Sequence, residues 1–121
     1  MPQYFLTLPH DSAAEPTMTT MDPAELEAVM AAVGAFNTEL EEAGALVALG
    51  GLEPPSAAVT VDATSGTPTR VNAPFVEAAE YVGGFWVIEA ADQEAALVWA
   101  EKGASALKDR IEVRAVQEVP E

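Results

Sequence analysis

The sequence lacks cysteine and contains a single histidine, His10. Disulfide bonds, zinc–thiolate centres and thiol chemistry are therefore excluded, and a reducing cytoplasm is the expected compartment. Because no cluster of histidine and cysteine is available, we expect neither a transition-metal site nor a bound cofactor. A weak calcium site stays open, since such a site needs only oxygen ligands.

Basic residues are also scarce, because five lysines and arginines stand against 20 acidic residues and the formal net charge is −15. Such a surface repels phosphate backbones and anionic lipid headgroups, so we expect neither nucleic acid nor a membrane as a partner. The sequence has no signal-peptide pattern, and no segment approaches the roughly 18 apolar residues of a membrane span. The glycine pairs at 50–51 and 83–84 lack the spacing and the lysine of a phosphate-binding loop.

The 121 residues are predicted to form one domain, residues 1–121, because half of them are hydrophobic and the length suits a single core. Asp22 is a favourable helix N-cap, Pro23 suits the first helical position, and Gly44 suits the residue after the helix. The sequence predicts strands at 2–9, 45–49, 57–62, 67–72, 85–90 and 110–117. It predicts helices at 22–44 and 92–103 and a loop at 10–21. The glycines at 83–84 are predicted to interrupt the chain before a strand, and Gly103 is predicted to end the second helix.

This order, β-α-β, hairpin, β-α-β, predicts an α+β protein with a ferredoxin-like arrangement, in which two helices cover one face of an antiparallel sheet. Several predicted strands are apolar on both faces, for example around Phe5 and in the run 85–88. Leaving such side chains in water forfeits roughly 1.5–3 kcal/mol each. We therefore expect a homodimer that packs two sheets face to face, and the competing explanation is that the hairpin covers this face.

Several segments resemble a known family. They read VGAFNTEL at 33–40, VNAPFVE at 71–77, YVGGFWVI at 81–88 and IEVRAV at 111–116. As a set, they resemble the YCII-related proteins, in which a DGPF motif occupies the place of residues 72–75. The resemblance implies a ferredoxin-like fold that assembles as a dimeric α+β barrel. It also implies, as genomic context, a bacterial stress pathway linked to extracytoplasmic-function sigma factors.

The chain departs from that motif at two positions, where Asn72 replaces the aspartate and Ala73 replaces the glycine, while Pro74 and Phe75 are kept. Some relatives are thought to use a histidine–aspartate pair on or near the first helix. The first predicted helix here has no histidine. An asparagine amide can donate and accept hydrogen bonds but cannot act as a base, so Asn72 favours binding over proton transfer.

The candidate site residues cluster around this motif. The candidate ligand-binding residues are Asn72, Phe75, Tyr81, Trp86 and Asp11, and the candidate catalytic residues are Glu77, His10 and Tyr81. A glutamate beside Phe75 and Trp86 could have a raised pKa and act as a general base.

Each candidate also has a simpler interpretation. His10 and Asp11 fit a solvated loop, and neighbours in an extended segment point to opposite faces. Asn72 fits a turn, Glu77 an exposed acidic turn, and Trp86 the core or an interface.

Two classes of function follow. The first is a dimeric module that binds a small apolar or aromatic molecule, or a protein partner. The alternative is a small cofactor-independent enzyme that performs acid–base chemistry, of the elimination or isomerisation type, on a small ring compound. In that case Glu77 or His10 is the base and Tyr81 orients the substrate.

Overall fold

The computed structural model describes residues 1–10, 22–75 and 80–118. Its secondary-structure elements follow one another in the order expected for the α+β class. They are β1 (Gln3–His10), α1 (Pro23–Glu42), β2 (Leu46–Gly51), a short 3-10 turn (Pro55–Ala57), β3 (Thr60–Asp62), β4 (Thr69–Val71), β5 (Tyr81–Glu89), α2 (Gln93–Leu107) and β6 (Glu112–Ala115).

The main sheet has four strands in the order β2-β5-β1-β6, and its neighbouring strands are antiparallel. This is the strand order of a ferredoxin-like fold, with the two β-α-β halves interleaved so that β1 and β5 lie at the centre. The prediction of an α+β, ferredoxin-like fold is confirmed. Strands β3 and β4 form the predicted hairpin, which is a separate two-stranded sheet inserted between β2 and β5.

Local sequence signals begin and end the helices. The Asp22 carboxylate accepts a hydrogen bond from the Ala24 amide at 3.2 Å, and Pro23 is the first helical residue. After α1, Gly44 adopts a positive φ of 70°, a backbone conformation that residues with a Cβ rarely adopt. Helix α2 begins in the same way, because the Asp92 carboxylate accepts a hydrogen bond from the Ala95 amide at 2.9 Å.

The core lies between the two helices and one face of the main sheet. Leu6, Ile88 and Leu40 are fully buried there. Along β5 the buried residues alternate with half-buried ones, as expected when successive side chains point to opposite faces. The two helices cover the buried positions Gly84, Trp86 and Ile88, and the opposite face carries Phe85 and Val87.

Two glycine predictions were wrong. Gly103 does not end α2, which continues to Leu107; it lies inside the helix, where an added Cβ would come within 2.9 Å of both Phe36 and Ile111. Gly83 and Gly84 are not a break before a strand but part of β5, which begins at Tyr81. The pairing of β1 with β5 shifts register between Leu8 and Pro9, so these glycines accompany an irregularity inside the sheet.

Over the described ranges, no helix has both the length and the apolar character needed to cross a membrane. Within the same ranges, no group of three or more metal-binding side chains comes together.

Candidate functional site

Two connecting segments meet at the N-terminal end of β5, so that three parts of the chain lie side by side there. The first follows β2 and contains Pro54 and Pro55, which lead into the 3-10 turn. The second is the corner after β4, which the hydroxyl of Thr60 holds by donating to the Ala73 carbonyl at 2.7 Å. The third is the start of β5, where the Leu52 amide donates to the Gly83 carbonyl at 2.8 Å. Backbone pairing therefore brings residues distant in sequence to one place.

These segments enclose an open cleft of about 530 Å³, which we call the proline cleft. Its size lies within the range of small-molecule sites, about 300–1,000 Å³. Most of its lining is apolar. The Phe75 side chain is 85% exposed there, so the large apolar area of its ring is available to a ligand. The lining residues are Leu52, Glu53, Pro54, Pro55, Ala57, Ala58, Pro74, Phe75, Glu80, Tyr81 and Val82.

A second cavity of about 270 Å³ adjoins the proline cleft and shares Glu80, Tyr81 and Val82 with it. Arg110 lies on this second cavity, and its Nη2 donates a hydrogen bond to the Glu80 Oε2. This contact, followed by the negative charge of Glu80, raises the pKa of Arg110 above its ordinary value. Both side chains are exposed, so the pair contributes little to stability, but it gives Glu80 a cationic partner.

The structure brings together two of the residues predicted for ligand binding, because Phe75 and Tyr81 both line the proline cleft. Asn72 is exposed and is not among the lining residues. Trp86 is only 5% exposed and lies in the core, where its indole N–H donates to the Asn37 Oδ1 at 2.7 Å. Because Trp86 follows Tyr81 by five residues in one strand, the two lie roughly 16 Å apart along the sheet.

Of the remaining candidates, Asp11 and Glu77 lie outside the described residues. His10 was predicted to lie in a loop, but it is the last residue of β1, and its backbone pairs with Tyr81. The His10 side chain lies outside the described part of the structure. The proposed catalytic roles of Glu77, His10 and Tyr81 therefore stay predictions.

Sequence reasoning missed one wall of the cleft. Leu52, Pro54 and Pro55 lie about 20 residues before the motif corner and reach it through the pairing of β2 with β5. The signal that could have found them is the Pro54-Pro55 pair. Two consecutive prolines hold an extended, rigid backbone and are well suited to form a fixed apolar surface.

The fold and the cleft define a small ferredoxin-like α+β protein with an open apolar cleft beside its central strand. The family model for the YCII-related domain matches residues 3–120, which is nearly the whole chain. The chain therefore belongs to the YCII-related family, as the sequence segments suggested. A comparison with curated proteins finds no significant match.

Proposed function

We propose that this protein binds a small apolar or aromatic molecule in the proline cleft and that it does so as a cytoplasmic homodimer. The observation that carries the proposal is the exposure of Phe75, 85%, beside an apolar wall of Leu52, Pro54 and Pro55. An exposed aromatic ring next to a preformed concave surface is characteristic of binding sites.

The energetics favour a ligand in this cleft. Covering the exposed Phe75 ring would contribute about 1.5–3 kcal/mol. The opposite wall contains prolines whose backbone is already restricted, and Pro55 is buried, so little conformational entropy is lost when a ligand binds. Tyr81, which is half-buried, adds a second aromatic surface from the rigid strand β5.

The homodimer is supported by the face of the main sheet that the helices do not cover. The rings of Phe5 and Phe85 pack against each other there, with centroids 5.6 Å apart, and Val87 pairs with Phe5 across the strands. All three are half-buried in one copy. Glu112 and Arg114 lie on the edge strand β6, so an apolar centre has charged groups of both signs at its rim. A second copy of this chain would cover that centre and allow the rim charges to pair.

The ligand proposal is tested by native mass spectrometry of the gently purified protein, followed by denaturation and identification of any released compound. We expect a small apolar compound with the unmodified protein and with Val61→Ala, whose side chain is 64% exposed on β3 and does not line the cleft. We expect Phe75→Ala to lose it, because losing 1.5–3 kcal/mol weakens binding about 10- to 150-fold. A compound retained equally by Phe75→Ala would contradict the proposal.

The enzymatic alternative has its own test. A candidate substrate should be turned over by the unmodified protein and lost in Glu77→Gln or His10→Ala, since each removes a proposed base. Turnover that survives both substitutions would eliminate that mechanism. The link to a sigma-factor pathway stays a prediction of the resemblance.

A further inference from the structure

Within the ranges that the structure describes, the charged side chains that line the proline cleft are both acidic, Glu53 and Glu80. Arg110 is close to the cleft, but it lies on the adjoining cavity and its guanidinium is held by Glu80. Among the described residues, no salt bridge involves Glu53. The cleft thus combines an apolar floor, two aromatic side chains and a carboxylate that lacks a cationic partner in the described structure.

From this combination we infer that the ligand is an apolar cation, namely a small amine or quaternary ammonium compound that carries hydrocarbon or an aromatic ring. The inference rests on the proposed binding function and specifies its ligand class. The ring faces of Phe75 and Tyr81 attract a cation through their quadrupoles, and the same rings provide apolar contact to the rest of the molecule.

Electrostatics select against the other charge classes. An anion in the cleft would face Glu53 and Glu80 and could gain Arg110 only by displacing it from Glu80. A neutral apolar ligand would remove water from Glu53 without giving that carboxylate a partner, which is unfavourable. The net charge of −15 further raises the local concentration of cations and lowers that of anions. Of the three charge classes, only a cation gains from both charged side chains of the described lining, Glu53 and Glu80.

The experiment compares three probes of similar shape and different charge by titration calorimetry at low salt. The probes are benzyltrimethylammonium as the cation, phenyl-tert-butanol as the neutral molecule and phenylmethanesulfonate as the anion. We expect the cation to bind at least about threefold more tightly than the alcohol, and the sulfonate to bind most weakly. Because exposed charges are screened, the difference between the cation and the alcohol should shrink as salt is raised to about 0.5 M.

Two variants assign the preference to the cleft. Glu53→Gln should reduce the advantage of the cation over the alcohol and leave the affinity for the alcohol nearly unchanged. Glu41→Gln is the matched control, because Glu41 is an exposed acid on α1 that does not line the cleft, and it should preserve the advantage. Phe75→Ala should weaken both the cation and the alcohol.

The outcomes separate this inference from the function on which it rests. If the alcohol or the sulfonate binds as tightly as the cation, and Phe75→Ala weakens that binding, the ligand class is wrong and the binding function stands. If the cation binds best but Glu41→Gln lowers its advantage as much as Glu53→Gln, the preference comes from overall charge and the inference is overturned. If no probe binds at millimolar concentration, both the function and the ligand class are contradicted.

Discussion

Gly103 provides a sharp test of how the helices pack on the sheet. A Cβ at this position would lie 2.9 Å from the Phe36 Cζ and 2.9 Å from the Ile111 Cδ1. Carbon atoms prefer a separation of about 3.5–4.0 Å, so each neighbour would have to retreat by at least about 0.6 Å. Ile111 is half-buried and its terminal methyl can rotate. Phe36 is 3% exposed and its ring packs edge-on against Trp86 and Trp99, so moving it would disturb both contacts.

The expected effect of Gly103→Ala follows from two opposing terms. Alanine improves helix propensity by about 1 kcal/mol, whereas overpacking a core costs about 1–3 kcal/mol. We expect a net loss in the free energy of unfolding of about 1 kcal/mol. The matched control is Gly34→Ala in α1, where an added Cβ meets nothing within 4 Å, so the same exchange should stabilise by about 1 kcal/mol.

The assay is thermal and urea unfolding of the two variants beside the unmodified protein. A difference of 2 kcal/mol between them corresponds to roughly 8 °C in Tm for a domain of this size. If Gly103→Ala is stabilised as much as Gly34→Ala, then α2 does not approach Phe36 as closely as described. The core between α2 and Phe36 would then be more loosely packed than these distances indicate.

Three further predictions concern the core, the sheet face and the hairpin. Asn37→Ala should lower the free energy of unfolding by about 1–3 kcal/mol in urea denaturation, because it leaves the buried Trp86 N–H without its acceptor. Phe5→Asp should give monomers in sedimentation equilibrium under conditions where the unmodified protein is dimeric, and added salt should tighten the unmodified dimer by screening its net charge. The Thr64 hydroxyl and amide hold the pKa of Asp62 below its ordinary value, so Thr64→Val should raise that pKa in a carboxyl NMR titration. Because this pKa is lowered in the folded protein, the stabilisation from Asp62 is present above the unfolded pKa and is lost as pH falls through the folded pKa.

Each of these has a control or a contradicting result. Thr38→Ala, at an exposed neighbour of Asn37, should change stability by less than about 0.5 kcal/mol. Val61→Asp places the same charge on the exposed hairpin and should leave the dimer intact. An unmodified protein that stays monomeric at micromolar concentration would contradict the proposed dimer. An unchanged Asp62 titration in Thr64→Val would show that the hydroxyl is not its partner.

The sequence was sufficient where the signal is local. The carboxylate of Asp22, the ring of Pro23 and the positive φ of Gly44 act within a few residues, and α1 begins and ends as they predict. The predicted hairpin also formed, and Gly66 in its turn has a positive φ of 96°. Such features depend on the backbone of one segment and can be recognised without knowing the fold.

The sequence was insufficient where tertiary contact decides. Gly103 and Gly84 look like breaks in a one-dimensional pattern. In the fold, Gly103 lies where Phe36 and Ile111 come close, and Gly84 pairs with strands on both sides of β5. Trp86 belongs to a strand that is apolar on both faces. The sequence does not show which face the helices cover, and only the fold shows that Trp86 lies on the covered one. For the same reason, Phe75 and Tyr81 could be proposed as site residues from the motif, whereas the proline wall required the β2–β5 register.

The most direct test of the central claim is mapping of ligand contacts by amide chemical shifts in ¹⁵N-labelled protein, titrated with benzyltrimethylammonium and phenyl-tert-butanol. We expect saturable shifts concentrated at the non-proline residues of 52–58, 73–75 and 80–83, which surround the proline cleft, and their loss in Phe75→Ala but not in Val61→Ala. Shifts that centre instead on the groove between α1 and α2, around Ala35 and Val98, or that persist in Phe75→Ala, would contradict it.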